Sequence, residues 1–207
     1  MAVDKKEHII EHAMKLFAEK GFEGTSIRDL AQTADVNVAM INYYFGSKEK
    51  LFEALVEMKA SYMKGKLEEL ENDKSLSEID KIDAIIENYI DRILSNPDFH
   101  KVLQQELLVT HRGGLHQNVI NIFSQNIKHI SSIIERGIKK KIFKKVDPEL
   151  TYASILGTIN QVVNSKTMCN ILLNEDPNFN TYIDMAFRKR LTNHIKLMIR
   201  SYLLINQ

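Results

Sequence analysis

The amino-acid sequence predicts an all-α fold of about nine helices, and three observations support this. Proline occurs three times and glycine eight times in 207 residues, so few positions interrupt a helix. Apolar side chains recur three and four residues apart along most of the chain, which is the spacing of an amphipathic helix. With 44% hydrophobic residues, the chain can also bury a substantial core.

The first predicted helix runs from about residue 4 to residue 20. One face of it carries Ile9, Ala13, Leu16 and Phe17. Gly21 follows directly, and glycine accepts the left-handed conformation that ends many helices.

Two short helices follow, separated by a three-residue turn. Ser26 and Asp29 have the spacing of a capping box, which predicts the start of the second helix. The third helix spans about Val38 to Phe45. Two short helices joined in this way form a helix-turn-helix motif, here at about 26–45.

The segment "NYYF" places adjacent aromatic residues on the second helix of this motif. Helical spacing predicts that Ile41, Tyr44 and Phe45 face the core. Tyr43 then points outward, on the same side as Asn42. An exposed face without charged residues is unusual for a helix that serves only the core.

Longer helices are predicted beyond this motif. Ser47 caps a fourth helix at 48–71, and the polar segment 72–77 separates it from the rest. Later helices are predicted at about 79–95, 97–111, 117–141, from 148 onward, and 181–204. We therefore predict an N-terminal domain at 1–50 and a second helical domain at 51–207.

Residues 25–55, "TSIRDLAQTADVNVAMINYYFGSKEKLFEAL", closely resemble the DNA-binding domain of the TetR family of bacterial transcription regulators. The resemblance is strong over about 5–63. The remaining all-helical length looks like the regulatory domain of the family, which varies greatly between members. One departure lies in the turn, where the family usually has glycine and this chain has Asp35. A residue there needs a positive φ, which aspartate tolerates better than most side chains.

The resemblance implies a protein that binds double-stranded DNA with its helix-turn-helix. Arg28 is expected to approach a phosphate or base edge, and Lys48 is expected to meet a phosphate. The recognition helix would present both hydrogen-bonding and apolar groups to the major groove. The residues expected at the DNA are Thr25, Ser26, Arg28, Asn37, Val38, Ala39, Met40, Asn42, Tyr43 and Lys48.

One helix-turn-helix covers only a few base pairs, so we expect a homodimer that binds a palindromic operator. The resemblance also implies that a small-molecule effector controls the protein. A repressor is favoured over an activator, while the effector and operator are left open. The expected effector-binding residues are Tyr89, Ile93, Phe99, His100, Leu103, Gln104, Leu107, Phe123, Asn126 and Ile127. The expected dimer residues are Ile155, Ile159, Val162, Phe187, Leu191, Ile195, Met198 and Tyr202. Gly113-Gly114 is either a hinge or a plain loop.

Several other functions find little support in the sequence. No signal peptide or membrane-spanning run is recognisable, so we expect a cytoplasmic protein that does not enter the membrane. His8 and His12 lie one helical turn apart, but no matching carboxylate pattern accompanies the seven histidines, and Cys169 is the single cysteine, so we expect no metal site. No catalytic motif or cofactor-binding loop is recognisable either. The charge of the first fifty residues, seven cations against eight carboxylates, does not by itself indicate DNA. An all-helical DNA-associated structural factor or protein-interaction factor, without ligand-controlled transcription, is the alternative.

Overall fold

The computed structural model describes residues 4–108, 113–164, 166–173 and 179–205. These residues form ten α-helices and no strand, which confirms the all-α prediction. The helices are α1 (Lys5–Lys20), α2 (Ile27–Thr33), α3 (Val38–Phe45), α4 (Lys48–Asn72), α5 (Glu78–Ser95), α6 (Pro97–Leu107), α7 (Gly113–Lys139), α8 (Pro148–Val163), α9 (Lys166–Leu173) and α10 (Met185–Leu203).

Short polar side chains determine where several helices begin. Ser26, Ser77 and Asp147 each accept a hydrogen bond from a backbone N–H in the first turn of α2, α5 and α8. Asp184 does the same for α10, which therefore begins at Met185 and not at 181 as predicted. The short helix α9 was not predicted from the sequence.

The chain divides into two compact units. The first consists of Met1–Tyr62 with Asp98–Ser124, and the second of Met63–Pro97 with Gln125–Gln207. Helices α4 and α7 each contribute to both units. The domain boundary predicted at residue 50 concerns the division of functions and stays a prediction.

The first unit has an aromatic centre. The rings of Phe17, Phe22 and Phe52 lie 5.4–5.6 Å apart between centroids, and all three are buried. The same hydrophobic cluster includes Phe99 and Leu103 of α6. Helix α6 therefore shares a core with the helices of the helix-turn-helix.

The second unit has a separate core, in which α5 packs against α10. Buried isoleucines such as Ile86 on α5 and Ile195 on α10 belong to this core. Arg200 adds a polar tie, since its Nε and Nη2 donate to one carboxylate oxygen of Asp83 at 2.9 and 2.7 Å. Cys169 is fully buried in the same cluster, as expected of a small apolar side chain.

Within the described ranges, no helix is both long enough and apolar enough to cross a membrane.

Helix α7 begins at Gly113, so the two glycines form its first residues. Their role as a hinge stays a prediction. The predicted sixth helix extended to His111, which lies outside the described residues.

Candidate nucleic-acid interface

Helices α2 and α3 and the turn between them form the predicted helix-turn-helix. The backbone N–H of Val36 donates to the carbonyl of Ala31 at 2.9 Å, which closes the turn. Asp35 adopts φ 51°, so the turn has the positive φ expected at this position. Ala31 and Ala34 are buried at the turn, where their small side chains allow close approach of the helices.

Helix α3 is capped at both ends by its own sequence. The side chain of Asn37 accepts a hydrogen bond from the N–H of Met40 at 2.8 Å. Gly46 ends the helix with φ 79°, and its N–H donates to the carbonyl of Asn42 at 2.9 Å. These caps hold α3 to two turns in a defined position beside α2.

The aromatic residues of α3 divide between the core and the surface as predicted. Ile41 is completely buried and Phe45 is buried, while Tyr44 is half-buried. Tyr43 is 83% exposed and rests with its ring 5.2 Å from that of Tyr44. The Tyr43 hydroxyl therefore stands on the open side of the helix.

The other residues of α3 that are expected to contact DNA lie on the same solvent-facing side as Tyr43. Val38, Ala39 and Asn42 are exposed, and Met40 is half-buried. Amide and phenol groups can hydrogen-bond to base edges, and methyl groups can contact the thymine methyl. The exposed face of α3 therefore offers the kinds of group that read a major groove.

Arg28 is an exposed cation on the first helix of the motif. It lies on α2 and forms no ion pair or hydrogen bond with any residue in the described part of the chain. Its guanidinium is therefore available to a phosphate or a guanine edge.

Two of the other predicted DNA residues already use their side chains inside the protein. Thr25 is 1% exposed, and its hydroxyl donates to the carbonyl of Gly21 at 2.7 Å. Ser26 accepts from the N–H of Asp29, whose carboxylate in turn accepts from the N–H of Ser26. Neither side chain therefore reaches DNA without giving up a contact within the protein.

The capping box of α2 depends on an ionised Asp29. Hydrogen bonds from the Ser26 side chain and backbone, aided by Lys20 at 3.3 Å, hold the pKa of this carboxyl at about 2, below its usual 3.8. The cap is therefore complete at neutral pH, where α2 must present its first turn.

Lys48 lies at the start of α4 and has an internal role that the sequence did not indicate. Its ammonium donates to the carbonyls of Phe22 and Thr25, both at 2.9 Å. It also lies 4.3 Å from the centroid of the Phe22 ring. Lys48 thus ties α4 to the segment between α1 and α2, and only one of its three N–H donors remains for a phosphate.

The predicted effector residues fall into both compact units. Phe99, His100, Leu103, Gln104, Leu107 and Phe123 belong to the first unit, and Tyr89, Ile93, Asn126 and Ile127 belong to the second. Phe99 and Leu103 are buried in the core of the first unit. Whether these residues bind an effector stays a prediction.

Three polar side chains meet inside the second unit. The hydroxyls of Tyr89 and Tyr152 lie 3.3 Å apart, and both residues are 8% exposed. Burial raises the pKa of both phenols, most strongly at Tyr89, where Tyr152 raises it further and Asn126 opposes the change. Both phenols are therefore uncharged at neutral pH.

The predicted dimer residues lie largely inside their own protomer. Ile155, Ile159, Phe187, Leu191 and Ile195 are all buried in the core of the second unit, while Val162 and Met198 are half-buried and Tyr202 is exposed. Tyr202 apart, the exposed apolar side chains of this region are not among those predicted; they include Leu150, Ile171, Leu172, Ile183, Met185 and Leu197. A partner subunit would meet these side chains first, because the buried set already packs within its own chain.

His129 on α7 contacts a carboxylate on α4. His129 pairs with Glu71, with Nδ1 and Oε2 2.5 Å apart, and Arg136 donates to the same carboxylate. Among the residues that the structure describes, no group of three or more histidine, cysteine, aspartate or glutamate side chains could hold a metal ion.

The helix-turn-helix, with its second helix turned outward, defines a DNA-binding protein of the helix-turn-helix class. Residues 9–55 match the family described as "Bacterial regulatory proteins, tetR family". Residues 79–188 match the description "Tetracyclin repressor-like, C-terminal domain". The chain belongs to the TetR family of transcription regulators.

Relatives of known sequence agree with this assignment. The chain is 35% identical over 144 residues to the "Probable HTH-type transcriptional regulator YttP" of Bacillus subtilis, covering 68% of each chain. It is 32% identical over 160 residues to the "HTH-type transcriptional repressor NicS" of Pseudomonas putida, covering 73% of this chain and 71% of the relative. These relatives support a transcription regulator and not the alternative structural or protein-interaction factor.

Solved structures show the same fold. The regulator FadR from Bacillus subtilis, in complex with stearoyl-CoA, superposes with a TM-score of 0.74 at 21% identity, covering 93% of this chain and 96% of that one. AibR, in complex with isovaleryl coenzyme A and operator DNA, gives a TM-score of 0.71 at 14% identity over 94% and 97% of the two chains.

Proposed function

We propose that this regulator is a homodimeric repressor that binds a palindromic operator and leaves it when a small-molecule effector binds. The proposal rests above all on the exposed face of α3, where Asn42 and the 83% exposed Tyr43 stand clear of the core. A surface helix with no partner of its own would more commonly carry charged residues there.

Arg28 and Asn42 are proposed to have different tasks on DNA. Arg28 is an exposed cation, so it would contribute to affinity for any sequence by neutralising a phosphate. Asn42 is neutral and lies on the recognition helix, so it would contribute only where its amide meets the correct base, commonly an adenine.

A dimer is proposed because one helix-turn-helix covers only a few base pairs. Two copies would read half-sites about 34 Å apart, or a multiple of that distance, on one face of the duplex. Exposed apolar residues on α10 and its approach, such as Ile183, Met185 and Leu197, supply a surface for the second copy.

The effector is proposed to bind among the helices that follow α4. The two acyl-coenzyme A complexes with a similar fold make acyl thioesters reasonable members of a first screen. An effector that weakens DNA binding tenfold must favour the released conformation by about 1.4 kcal/mol.

The experiment begins with footprinting of the region upstream of the chain's own gene. Fluorescence anisotropy then compares Arg28→Ala and Asn42→Ala on the protected site and on unrelated duplex. Arg28→Ala should weaken both complexes and reduce the salt slope by about one, whereas Asn42→Ala should cost about 1–3 kcal/mol on the protected site alone.

Two results would contradict this assignment. Equal loss on both duplexes for Asn42→Ala would make that residue a positioning contact. A screen of small molecules in which ligands raise the melting temperature without releasing DNA would separate ligand binding from control of transcription.

A further inference from the structure

The core of the second unit contains a polar side chain that has no hydrogen-bond partner. Asn126 on α7 is 1% exposed, and neither its Oδ1 nor its Nδ2 forms a hydrogen bond with the part of the chain that the structure describes. A buried amide without partners costs stability, and native proteins retain few such groups. Something other than the stability of the free protein therefore accounts for this asparagine.

Two phenol groups lie beside this amide. Asn126 is close enough to affect the ionisation of Tyr89, although no hydrogen bond between them meets the geometry required. The hydroxyls of Tyr89 and Tyr152 share one hydrogen bond at 3.3 Å. One of these two phenol hydrogens is used in that bond, which leaves the other, together with acceptor lone pairs, for a third group.

The surroundings of this cluster are apolar. Tyr89 and Tyr152 belong to the main hydrophobic cluster of the second unit, and Ile127, next to Asn126, is half-buried against the same cluster. In the described part of the chain, no charged side chain hydrogen-bonds to Tyr89 or Tyr152. An ionised ligand group would therefore have no opposite charge to compensate its loss of water.

The unsatisfied atoms also define the shape of the missing partner. Oδ1 of Asn126 needs a donor, and Nδ2 needs an acceptor. A carboxamide presents an N–H and a C=O side by side and satisfies both through one two-point contact. A carboxylate offers only acceptors and an ammonium only donors, so each leaves one atom of Asn126 unpaired.

We propose that Asn126, Tyr89 and Tyr152 bind an uncharged carboxamide-type group of an otherwise apolar effector. This inference rests on the proposed function, because it specifies the chemistry of the effector that releases DNA. Asn126 supplies the two-point contact, and the tyrosine pair supplies a further donor or acceptor to the carbonyl or N–H.

The test uses three matched sets of probes: octanamide, benzamide and cyclohexanecarboxamide, each with its corresponding acid and amine. Binding to the full-length protein without DNA is measured at neutral pH by calorimetry and by thermal shift. At least one amide should bind tenfold or more tightly than its acid and amine.

Two variants on α7 separate recognition from folding. Asn126→Leu has nearly the same volume and should lose the preference for amides. It should also raise the melting temperature of the free protein by roughly 2–6 °C, because an unpaired buried amide is removed. Asn121→Leu changes an exposed asparagine on the same helix and should leave the amide preference intact.

Three outcomes would overturn the proposal: no amide preference in any set, an unchanged preference in Asn126→Leu, or a lowered melting temperature in that variant. The last result would show that Asn126 is satisfied in the free protein and has a structural role. None of these results bears on the proposed function, which is measured separately by release from the operator.

Discussion

Replacing Lys48 tests whether its ammonium mainly stabilises the protein through hydrogen bonds to backbone carbonyls or mainly binds a DNA phosphate. The ammonium donates to two backbone carbonyls of the segment that precedes α2, and the flanking Phe22 ring adds a cation–π contact. Lys48→Met keeps most of the aliphatic stem and removes only the charged group. We expect the packing around α2 and α3 to loosen in this variant.

The magnitude follows from the contacts. A hydrogen bond with a charged partner contributes about 1.5–3 kcal/mol, and an exposed cation–π contact about 0.5–1 kcal/mol. Lys48 is half-buried, so water can partly replace its ammonium as hydrogen-bond donor to the two carbonyls. We therefore expect Lys48→Met to lower the local stability by about 2 kcal/mol. Amide hydrogens of residues 26–45 should then exchange about 30-fold faster through local opening.

Hydrogen exchange followed by mass spectrometry measures this effect, with Lys50→Met as the control. Lys50 carries the same charge in the same helical turn, but it pairs with Glu53 at 2.7 Å and contacts neither carbonyl. Both variants remove one cation near DNA, and only Lys48→Met should speed exchange. Unchanged exchange in Lys48→Met, with a salt slope of DNA binding reduced by about one, would refute the internal role and restore the phosphate role.

Three further predictions concern assembly, pH and packing. Leu197→Asp introduces a charge at a side chain that is 68% exposed, so light scattering should give a folded monomer near 23.9 kDa where the unmodified protein gives twice that mass. A mass near 23.9 kDa for the unmodified protein would contradict the dimer. The folded-state pKa of Asp29 is depressed, so its stabilisation of α2 is full above 3.8 and is lost as pH falls through about 2; carbon NMR titration finding 3.8 would contradict this. Gly137→Ala brings a Cβ to 2.1 Å from the buried Phe143 ring and should lower the free energy of unfolding in urea by about 1–3 kcal/mol. Gly65→Ala, where the added Cβ meets no neighbouring atom, should raise it by up to about 1 kcal/mol, and equal effects of the two variants would exclude the collision.

Local rules predicted the helix-turn-helix accurately, because its elements depend on neighbouring residues. The capping box at Ser26 and Asp29, the turn at Asp35 and the end of the third helix at Phe45 each depend on residues a few positions away in sequence. The outward position of Tyr43 followed from helical spacing alone.

Contacts between distant residues escaped the same reasoning. Lys48 binds backbone carbonyls more than twenty positions away, and every residue type has such a carbonyl, so no side-chain pattern indicates the contact. The Thr25 hydroxyl donates to the backbone carbonyl of Gly21, only four positions away, but this contact was also missed because every residue type has such a carbonyl.

The apolar residues of α8 and α10 show a different limit of prediction from sequence. Both helices carry apolar residues on more than one side, and the periodicity does not say which side the protomer's own core takes. In the structure, Ile159 and Ile195 are buried in the core and Leu197 is exposed. Choosing between such sides requires the three-dimensional neighbours of each helix.

Selection of binding sites from a random pool of DNA duplexes tests the central claim most directly. The purified full-length chain is incubated with the pool, and the bound duplexes are sequenced over several rounds. We predict enrichment of one inverted repeat whose half-sites lie about one helical turn, or a multiple of it, apart, and loss of base preference within each half-site for Asn42→Ala. A pool that stays random, or an enriched motif that is identical for Asn42→Ala and Tyr43→Ala, would contradict a regulator that reads its operator with the exposed face of α3.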